Sequence, residues 1–377
     1  MQGDCWDCSR GGKRASKEKK SDTYYNIIVT HNTHTMSMKS SVLLIYTGGT
    51  IGMHTDPHSG TLVPFDFNHI YEEFPSLRRL AVNIEVLPFE PIDSSNASPE
   101  LWVRLAEIIK ENYERFDGFV VLHGTDTMSY TSSALSFMLN NLEKPVVFTG
   151  SQIPIGVLRT DGRENLITAI EIAAAKDAKG MAMVPEVSLY FQNRLFRANR
   201  TTKQSAEELS AFVSNNYPPL AEVGVSIQYN ESLILRGGGE GEFSIDTRLC
   251  GDVAIIKIFP GLNERVFRAM LGSGIRGVVL ETYGAGNAPT KEWFIGALRE
   301  AIERGISVVN VTQCSDGEVN MDIYETGVAL QQIGVISGRD MTTEAAVAKM
   351  MYVLAHESGP KEIELMMKKS ICGEIGR

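Results

Sequence analysis

Two threonine-bearing turns and one lysine carry residue types that could do chemistry. Thr47-Gly48-Gly49-Thr50-Ile51-Gly52 follows at once on the apolar run Val42-Leu43-Leu44-Ile45-Tyr46, and His123-Gly124-Thr125-Asp126-Thr127 follows on Phe119-Val120-Val121-Leu122. A threonine hydroxyl is a weak nucleophile that must lose its proton in or before attack. A lysine beside a carboxylate can be tuned so that its neutral form accepts that proton. Thr125, Asp126 and Lys203, the last in Asn199-Arg200-Thr201-Thr202-Lys203, supply such a set, and turns such as Thr50-Ile51 and Thr125-Asp126 supply N–H donors for an oxyanion. These are the parts of nucleophilic acyl transfer. Spacing alone leaves a second reading open, since lysine–aspartate pairs are far more often structural ion pairs. His123 invites a serine-hydrolase reading, but no Gly-x-Ser-x-Gly elbow accompanies it, and it reads as a packed strand-end histidine.

Such groups need elements that bring them together. Short continuous apolar runs cut off by glycine and polar residues read as buried parallel strands, expected at Val42 to Tyr46, Ile84 to Leu87, Phe119 to Leu122, Val146 to Thr149, Met181 to Val184 and Ser188 to Phe191. Helices are expected between them: Pro99 to Tyr113 with Ser98 as N-cap, Tyr130 to Asn140, and Arg163 to Ala175, the last opened by a capping-box-like Asp161 and Glu164. This is βαβ alternation, and it predicts a parallel sheet covered on both faces. Several strands end in polar, glycine-bearing loops, including Gly150-Ser151-Gln152-Ile153-Pro154, and loops on one edge of such a sheet converge.

After Tyr217-Pro218-Pro219-Leu220 the alternation pauses, and Gly237-Gly238-Gly239-Glu240-Gly241 marks a turn or linker. A second α/β unit follows, with strands expected near Val253 to Phe259, Gly277 to Leu280 and Val308 to Thr312, and helices at Lys291 to Arg304 and Met341 to His356. The expected division is an extension over 1–40 without order, an N-terminal α/β catalytic domain over 41–230, a linker over 231–250 and a C-terminal α/β domain over 251–377. Met36 and Met38 lie just before the first strand, where translation could begin.

With 377 residues the chain can bury a core in each of two domains. A hydrophobic share of 43% and a charged share of 22% fit a soluble globular protein, and a net charge of -10 argues against an extended nucleic-acid surface. No uncharged apolar run approaches the ~18 residues of a membrane span. Five scattered cysteines form no disulfide framework and suit a reducing, cytoplasmic compartment. Cys5 and Cys8 form a Cys-x-x-Cys pair without a second pair at zinc spacing. A nucleotide-binding reading of the first turn would need Gly-x-x-x-x-Gly-Lys-Ser/Thr or Gly-x-Gly-x-x-Gly, and neither is there.

The two threonine motifs in order, Gly150-Ser151-Gln152-Ile153-Pro154, the downstream Asn199 to Lys203 segment, Tyr283-Gly284-Ala285-Gly286-Asn287-Ala288-Pro289 and Thr312-Gln313-Cys314 together resemble the bacterial-type L-asparaginase family, closest to its cytoplasmic type I branch. The likeness runs from about Ser41 to the end of the sequence. It implies two α/β domains, the larger N-terminal one flavodoxin-like, and hydrolysis of asparagine to aspartate and ammonia through a threonine acyl-enzyme. Carried over, Thr50 matches the nucleophile, and Thr125, Asp126 and Lys203 match a second triad that supports the chemistry and its water. Ser94, between Asp93 and Ser95, matches the position that binds the substrate α-carboxylate, Asp126 also faces the α-amino group, and Asn287 matches a residue that reaches the site across a subunit interface. A homodimer or a dimer of dimers is implied, with a small amino-acid substrate, no cofactor or metal, and no nucleic-acid or membrane partner. Rival readings are a glutaminase-asparaginase, an amidase acting on charged tRNA, and a non-catalytic homologue.

Two positions depart from the family pattern. Where a mobile loop should bring a tyrosine to the nucleophile, the stretch between Gly52 and Gly60 and on to Pro64 has none, and Thr61 stands in its place. Thr61 substitutes for it, Tyr46 or Tyr71 serves from elsewhere, or the threonine is activated differently; the flanking glycines still suit a lid. Glu281 stands where some allosteric relatives have arginine, and a reversed charge would not hold an effector carboxylate in the same way, so cooperativity toward asparagine is expected to be weak or absent.

Overall fold

In the computed structural model, residues 39–55, 61–64, 70–236, 241–322 and 325–376 are described. The extension over 1–38 with Cys5, Cys8, Met36 and Met38, the lid residue Gly60 and the run 237–240 lie outside them. Eight strands make the first sheet: β1 (Ser40–Tyr46), β2 (Val82–Pro88), β3 (Gly118–Leu122), β4 (Val146–Thr149), β5 (Val187–Phe191), β6 (Arg194–Arg197), β7 (Ala221–Val223) and β8 (Ile227–Tyr229). Their order is β8-β7-β6-β5-β4-β3-β1-β2. The five strands from β2 to β5 are parallel, and β6, β7 and β8 extend the sheet in antiparallel fashion. The parallel part thus runs 2-1-3-4-5, the flavodoxin-like order, whose chain reversal lies between β1 and β3.

Both faces of this sheet are apolar, as the continuous runs require. Leu43, Ile45, Phe119 and Val121 pack to one side with helix α1 (Pro99–Asn112) and helix α2 (Met128–Met138). Val42, Leu44, Tyr46, Val120 and Leu122 pack to the other with helix α3 (Gly162–Ala174), through Leu166, Ala169 and Ile170. Alternate residues serve opposite faces, so neither face can be polar.

A smaller all-parallel sheet follows: β9 (Val253–Lys257), β10 (Gly277–Thr282), β11 (Ser307–Thr312) and β12 (Ile336–Ser337), in chain order. Helices α4 (Glu264–Leu271), α5 (Glu292–Glu303) and α6 (Glu325–Gln332) contribute Phe267, Phe294 and Leu330 to the core on one face. Helix α7 (Thr343–His356) and helix α8 (Pro360–Lys368) cover the other, with Met350, Val353, Ile363 and Met367. Ala348 and Met351 of α7 also reach the core shared by α1 and α2, so this helix serves both sheets. No described helix is long and apolar enough to cross a membrane.

Two expectations are corrected. Met181 to Val184 is not a strand. The Asp177 carboxylate holds the N–H groups of Lys179 and Met181 in a tight turn, Ala182 makes only a single bridge with Lys176, and Pro185, which has no N–H, follows. Asp161 stands at the N-cap position of α3, but its side chain does not cap the helix; it accepts the N–H groups of Gln152 and Ile153 instead. Past Tyr217 to Leu220, β7 and β8 follow one another and pair antiparallel with no helix between them, where the βα alternation is expected to pause.

Candidate active site

β1 and β3 run side by side and end in register at Tyr46 and Leu122. Thr47 is buried at that end, its N–H and hydroxyl both donating to the Leu122 carbonyl, at 3.0 and 2.9 Å. It is a tie between strands. Thr50 lies three residues on, exposed, in a 3-10 turn whose Ile51 is fully buried and so anchors it. The chain can turn here because Gly49 takes φ 88, where a side chain would be strained. Space forbids one too: a Cβ on Gly49 would lie 2.5 Å from Gly124 Cα, and one on Gly124 would lie 2.4 Å from Ser94 Oγ. The turns after β1, β2 and β3 therefore touch through main chain, and Ile92 N closes the contact by donating to Thr47 O at 2.9 Å.

Lys203 arrives from outside that sheet. It sits in the short strand Thr202–Lys203, paired antiparallel with Phe212–Val213. Its ammonium donates to Thr125 Oγ1 at 2.8 Å and to Asp126 Oδ1 at 2.6 Å. The lysine side chain is mostly covered, at 18% exposure, whereas that of Asp126 is 64% exposed, so the carboxylate that holds the lysine also faces solvent. Thr125 Oγ1 donates in turn to Gln152 Oε1 at 3.2 Å. Helix α2 begins directly after this turn, which puts its positive end at the same sheet edge. The structure brings Thr125, Asp126 and Lys203 together.

The other expected residues fall as follows. Ser94 is buried against Gly124, and its carbonyl accepts the Thr127 hydroxyl at 2.7 Å. The Asp93 carboxylate accepts the N–H and hydroxyl of Ser95, both at 2.9 Å, which holds it below the usual carboxylate range and closes the turn that presents Ser94. Asn287 belongs to the tight turn after β10, where its Oδ1 accepts from Thr326 Oγ1 at 2.7 Å; among the described residues of this chain no hydrogen bond joins it to Thr50 or Thr125. Thr61 is exposed. Burial pushes the Tyr46 phenol up to about 12, and it donates to Gly52 O at 3.4 Å, supporting the Thr50 turn from beneath. Tyr71 Oη accepts the Ile84 N–H of β2 at 3.2 Å, near the strand start and away from the Tyr46 end.

Three supports were not foreseen. Gln152 was legible only as part of a strand-end loop, and its hold on Thr125 depends on Asp161 fixing the loop's main chain. Glu344, in the first turn of α7, accepts the Thr202 hydroxyl at 2.6 Å from 142 residues away, a separation with no local signal. Behind Thr125, Trp102 Nε1 donates to Thr131 Oγ1 at 3.1 Å, Thr131 Oγ1 lies 3.0 Å from His123 Nε2, and His123 Nδ1 lies 2.8 Å from Gly124 O. Indole can only donate and a carbonyl can only accept, so the chain runs one way, with the proton on Nδ1.

Burial pushes the His123 imidazole down to about 4, and its bond to the Gly124 carbonyl offsets only part of that. Unfolded histidine titrates near ~6.5. The depressed value means that the contribution to stability is complete above the unfolded pKa and is lost as pH falls toward about 4. That window corresponds to on the order of 3 kcal/mol. Urea titrations at several pH values between these limits are expected to show this slope in the wild type and its loss in His123→Asn; parallel slopes would refute the assignment.

A cleft of about 350 Å³ borders the far side of Lys203, with Tyr130, Glu281, Glu344 and Cys314 on its walls. Glu281 is engaged there by the Thr343 hydroxyl at 2.6 Å and by Lys257 Nζ at 3.4 Å.

Comparison with known proteins decides the family. A family profile described as Asparaginase, N-terminal matches residues 41–235, and one described as Glutaminase/Asparaginase C-terminal domain matches residues 252–367. The chain belongs to the asparaginase family. Within it, the chain is 43% identical to L-asparaginase 1 of Escherichia coli K12 over 339 residues, covering 89% of this chain and 98% of that one. It is 41% identical to a human protein named 60 kDa lysophospholipase, covering 89% of this chain and 61% of that protein. The crystal structure of L-asparaginase I from Vibrio cholerae superposes with a TM-score of 0.81 at 39% identity, over 90% of this chain and all of the other. In this asparaginase-family chain the smaller sheet lies within the C-terminal match, and β1 to β8 lie within the N-terminal one.

Proposed function

We propose that this protein hydrolyses the side-chain amide of L-asparagine to give aspartate and ammonia. The observation that carries the reading is Lys203 Nζ within 2.8 Å of Thr125 Oγ1 and 2.6 Å of Asp126 Oδ1, at the sheet edge where Thr50 stands exposed, in a chain of the asparaginase family. Thr50 attacks the carboxamide carbon, the C–N bond breaks, ammonia leaves with the proton it gains, and a β-aspartyl ester forms on Thr50. Water then attacks that ester, one of its protons is relayed through Thr125 and Lys203 to the Thr50 oxygen as the ester C–O bond breaks, and aspartate departs. Turn N–H groups hold the oxyanion in both steps. Ser94 and its turn orient the α-carboxylate, and Asp126 the α-ammonium. Asn287 completes a partner's site in a homodimer or a dimer of dimers, and Gly52 and Thr61 are assigned to the lid expected at this position. The N-terminal domain is assigned to 41–230 and the C-terminal one to 251–377. A cytoplasmic location is supported by Cys250, Cys314 and Cys372, all free thiols.

Ammonia release by the whole protein, with asparagine and with glutamine, tests the reading. Faster release from asparagine is expected, along a hyperbolic rate curve, because Glu281 lines the cleft beside Lys203 with a negative charge that a second amino-acid carboxylate would meet. Faster release from glutamine would make it a glutaminase, and none from either would make it a non-catalytic homologue. A sigmoidal asparagine curve would overturn the assignment for Glu281.

A further inference from the structure

Every side chain from Asn199 to Lys203 makes a hydrogen bond, and all but that of Thr201 reach a distant part of the chain. Asn199 Nδ2 donates to Cys372 O at 3.0 Å. Arg200, 2% exposed, donates through Nη1 to Glu374 O at 2.6 Å and through Nη2 to Asp340 Oδ2 at 2.6 Å and Asn216 O at 2.9 Å. Thr201 Oγ1 donates to Arg197 O, Thr202 Oγ1 to Glu344 Oε1, and Lys203 to Thr125 and Asp126. Of these side chains, Asn199 is held through its Nδ2 alone, its Oδ1 being buried without a partner.

Two of those anchors belong to residues 370–376, a hook that follows α8. The Glu374 carboxylate accepts the N–H groups of Ile371 and Cys372 and meets Lys349 Nζ at 2.6 Å, with both side chains fully buried. Lys349 spends its remaining donors on Met367 O at 2.9 Å and Lys369 O at 2.6 Å. The hook is tied once more where Gly376 N donates to Asp340 Oδ1 at 2.9 Å, the carboxylate that also takes Arg200. A buried ion pair of this kind is weak evidence for stability, since apolar replacements of similar volume are often neutral or better. What a fully satisfied pair does supply is one fixed geometry.

We propose that Glu374 and Lys349 are positioning residues for Lys203: their buried pair locks the 370–376 hook, the hook fixes Asn199 and Arg200, and these set where the Lys203 ammonium meets Thr125 and Asp126. The need follows from the lysine itself, a point charge on a flexible four-carbon stem, for which a displacement of ~1 Å can cost ~10²-fold in rate. The proposal rests on the reading above for its link to catalysis, but the geometry it asserts can be read without any turnover.

The test uses the Lys349→Met/Glu374→Gln double variant, which leaves no buried charge unpaired, with Arg200→Lys as a second variant that keeps charge but loses the planar fork. In protein carrying ¹³Cε-labelled lysine, the Lys203 signal is assigned by its loss in Lys203→Gln. In the folded variants this signal is expected to move toward that of the exposed lysines, while kcat for asparagine falls ~10²-fold and KM changes far less. A purely structural role would lower the unfolding temperature and leave the signal in place. An unmoved Lys203 signal in either folded variant overturns the proposal, whatever the turnover. A displaced signal in a protein whose wild type releases no ammonia would sustain the positioning role and discard the catalytic one.

Discussion

With Thr50 replaced by alanine, asparagine turnover falls by ~10³-fold or more, and no acyl-enzyme forms. The expectation rests on a contrast between the two threonines of one turn. Thr47 has both its N–H and its hydroxyl committed to the Leu122 carbonyl and is buried, so it has no proton to give and no path to a substrate. Thr50 is exposed on a turn held from below by buried Ile51 and by Tyr46. Alanine keeps the turn and removes only the attacking oxygen, so binding of asparagine should change little. Stopped-flow ammonia release and intact-protein mass spectrometry decide it. Full turnover in Thr50→Ala would move the nucleophile elsewhere, with Thr125 the first place to look.

Lys203 gives the second large effect. Lys203→Met is expected to lower kcat by roughly 10²–10⁴-fold, the usual worth of a positioned proton acceptor. If it serves the water-attack step, the variant should also accumulate protein heavier by one aspartyl group when mixed with asparagine. Lys203→Arg is the informative companion. Arginine keeps a cation beside Asp126, so it would restore a structural ion pair, but it does not lose its proton in proteins and so could not act as a base. Arginine rescue would therefore return the lysine to the ordinary reading of a surface-edge salt bridge, and equal losses in both variants would exclude that reading.

The elements legible in the sequence were those whose local pattern matches their final burial. β1, β3 and β4 are uninterrupted apolar runs ended by glycine or polar residues, and the observed strands begin and end within a residue or two of the expected ones. β7 and β8 have three residues each, with Glu222 and Gln228 exposed, and take their order from pairing, β7 with β6 and β8 with β7, rather than from composition. Helix α4 carried a signal that went unused, since Asn263 caps it by accepting from Arg265 N and Val266 N. In the candidate site, Thr50, Thr125 and Asp126 sit in turns after strands, and the family resemblance rather than position singled them out. The grip of Glu344, Asp340 and Glu374 on the Asn199 to Lys203 segment joins residues more than a hundred positions apart, and no periodicity announces such a contact.

Arg200 and the Glu374 carbonyl that holds it are 174 residues apart in the chain. At synthesis rates of ~5–20 residues per second, that stretch takes roughly 10–35 s to make. At the start of that interval the residues of the parallel strands β1 to β5 and of both threonine turns have been made, but the carbonyl that anchors Arg200 has not. On the positioning role proposed above, the site would be complete only after the hook has been made, late in synthesis.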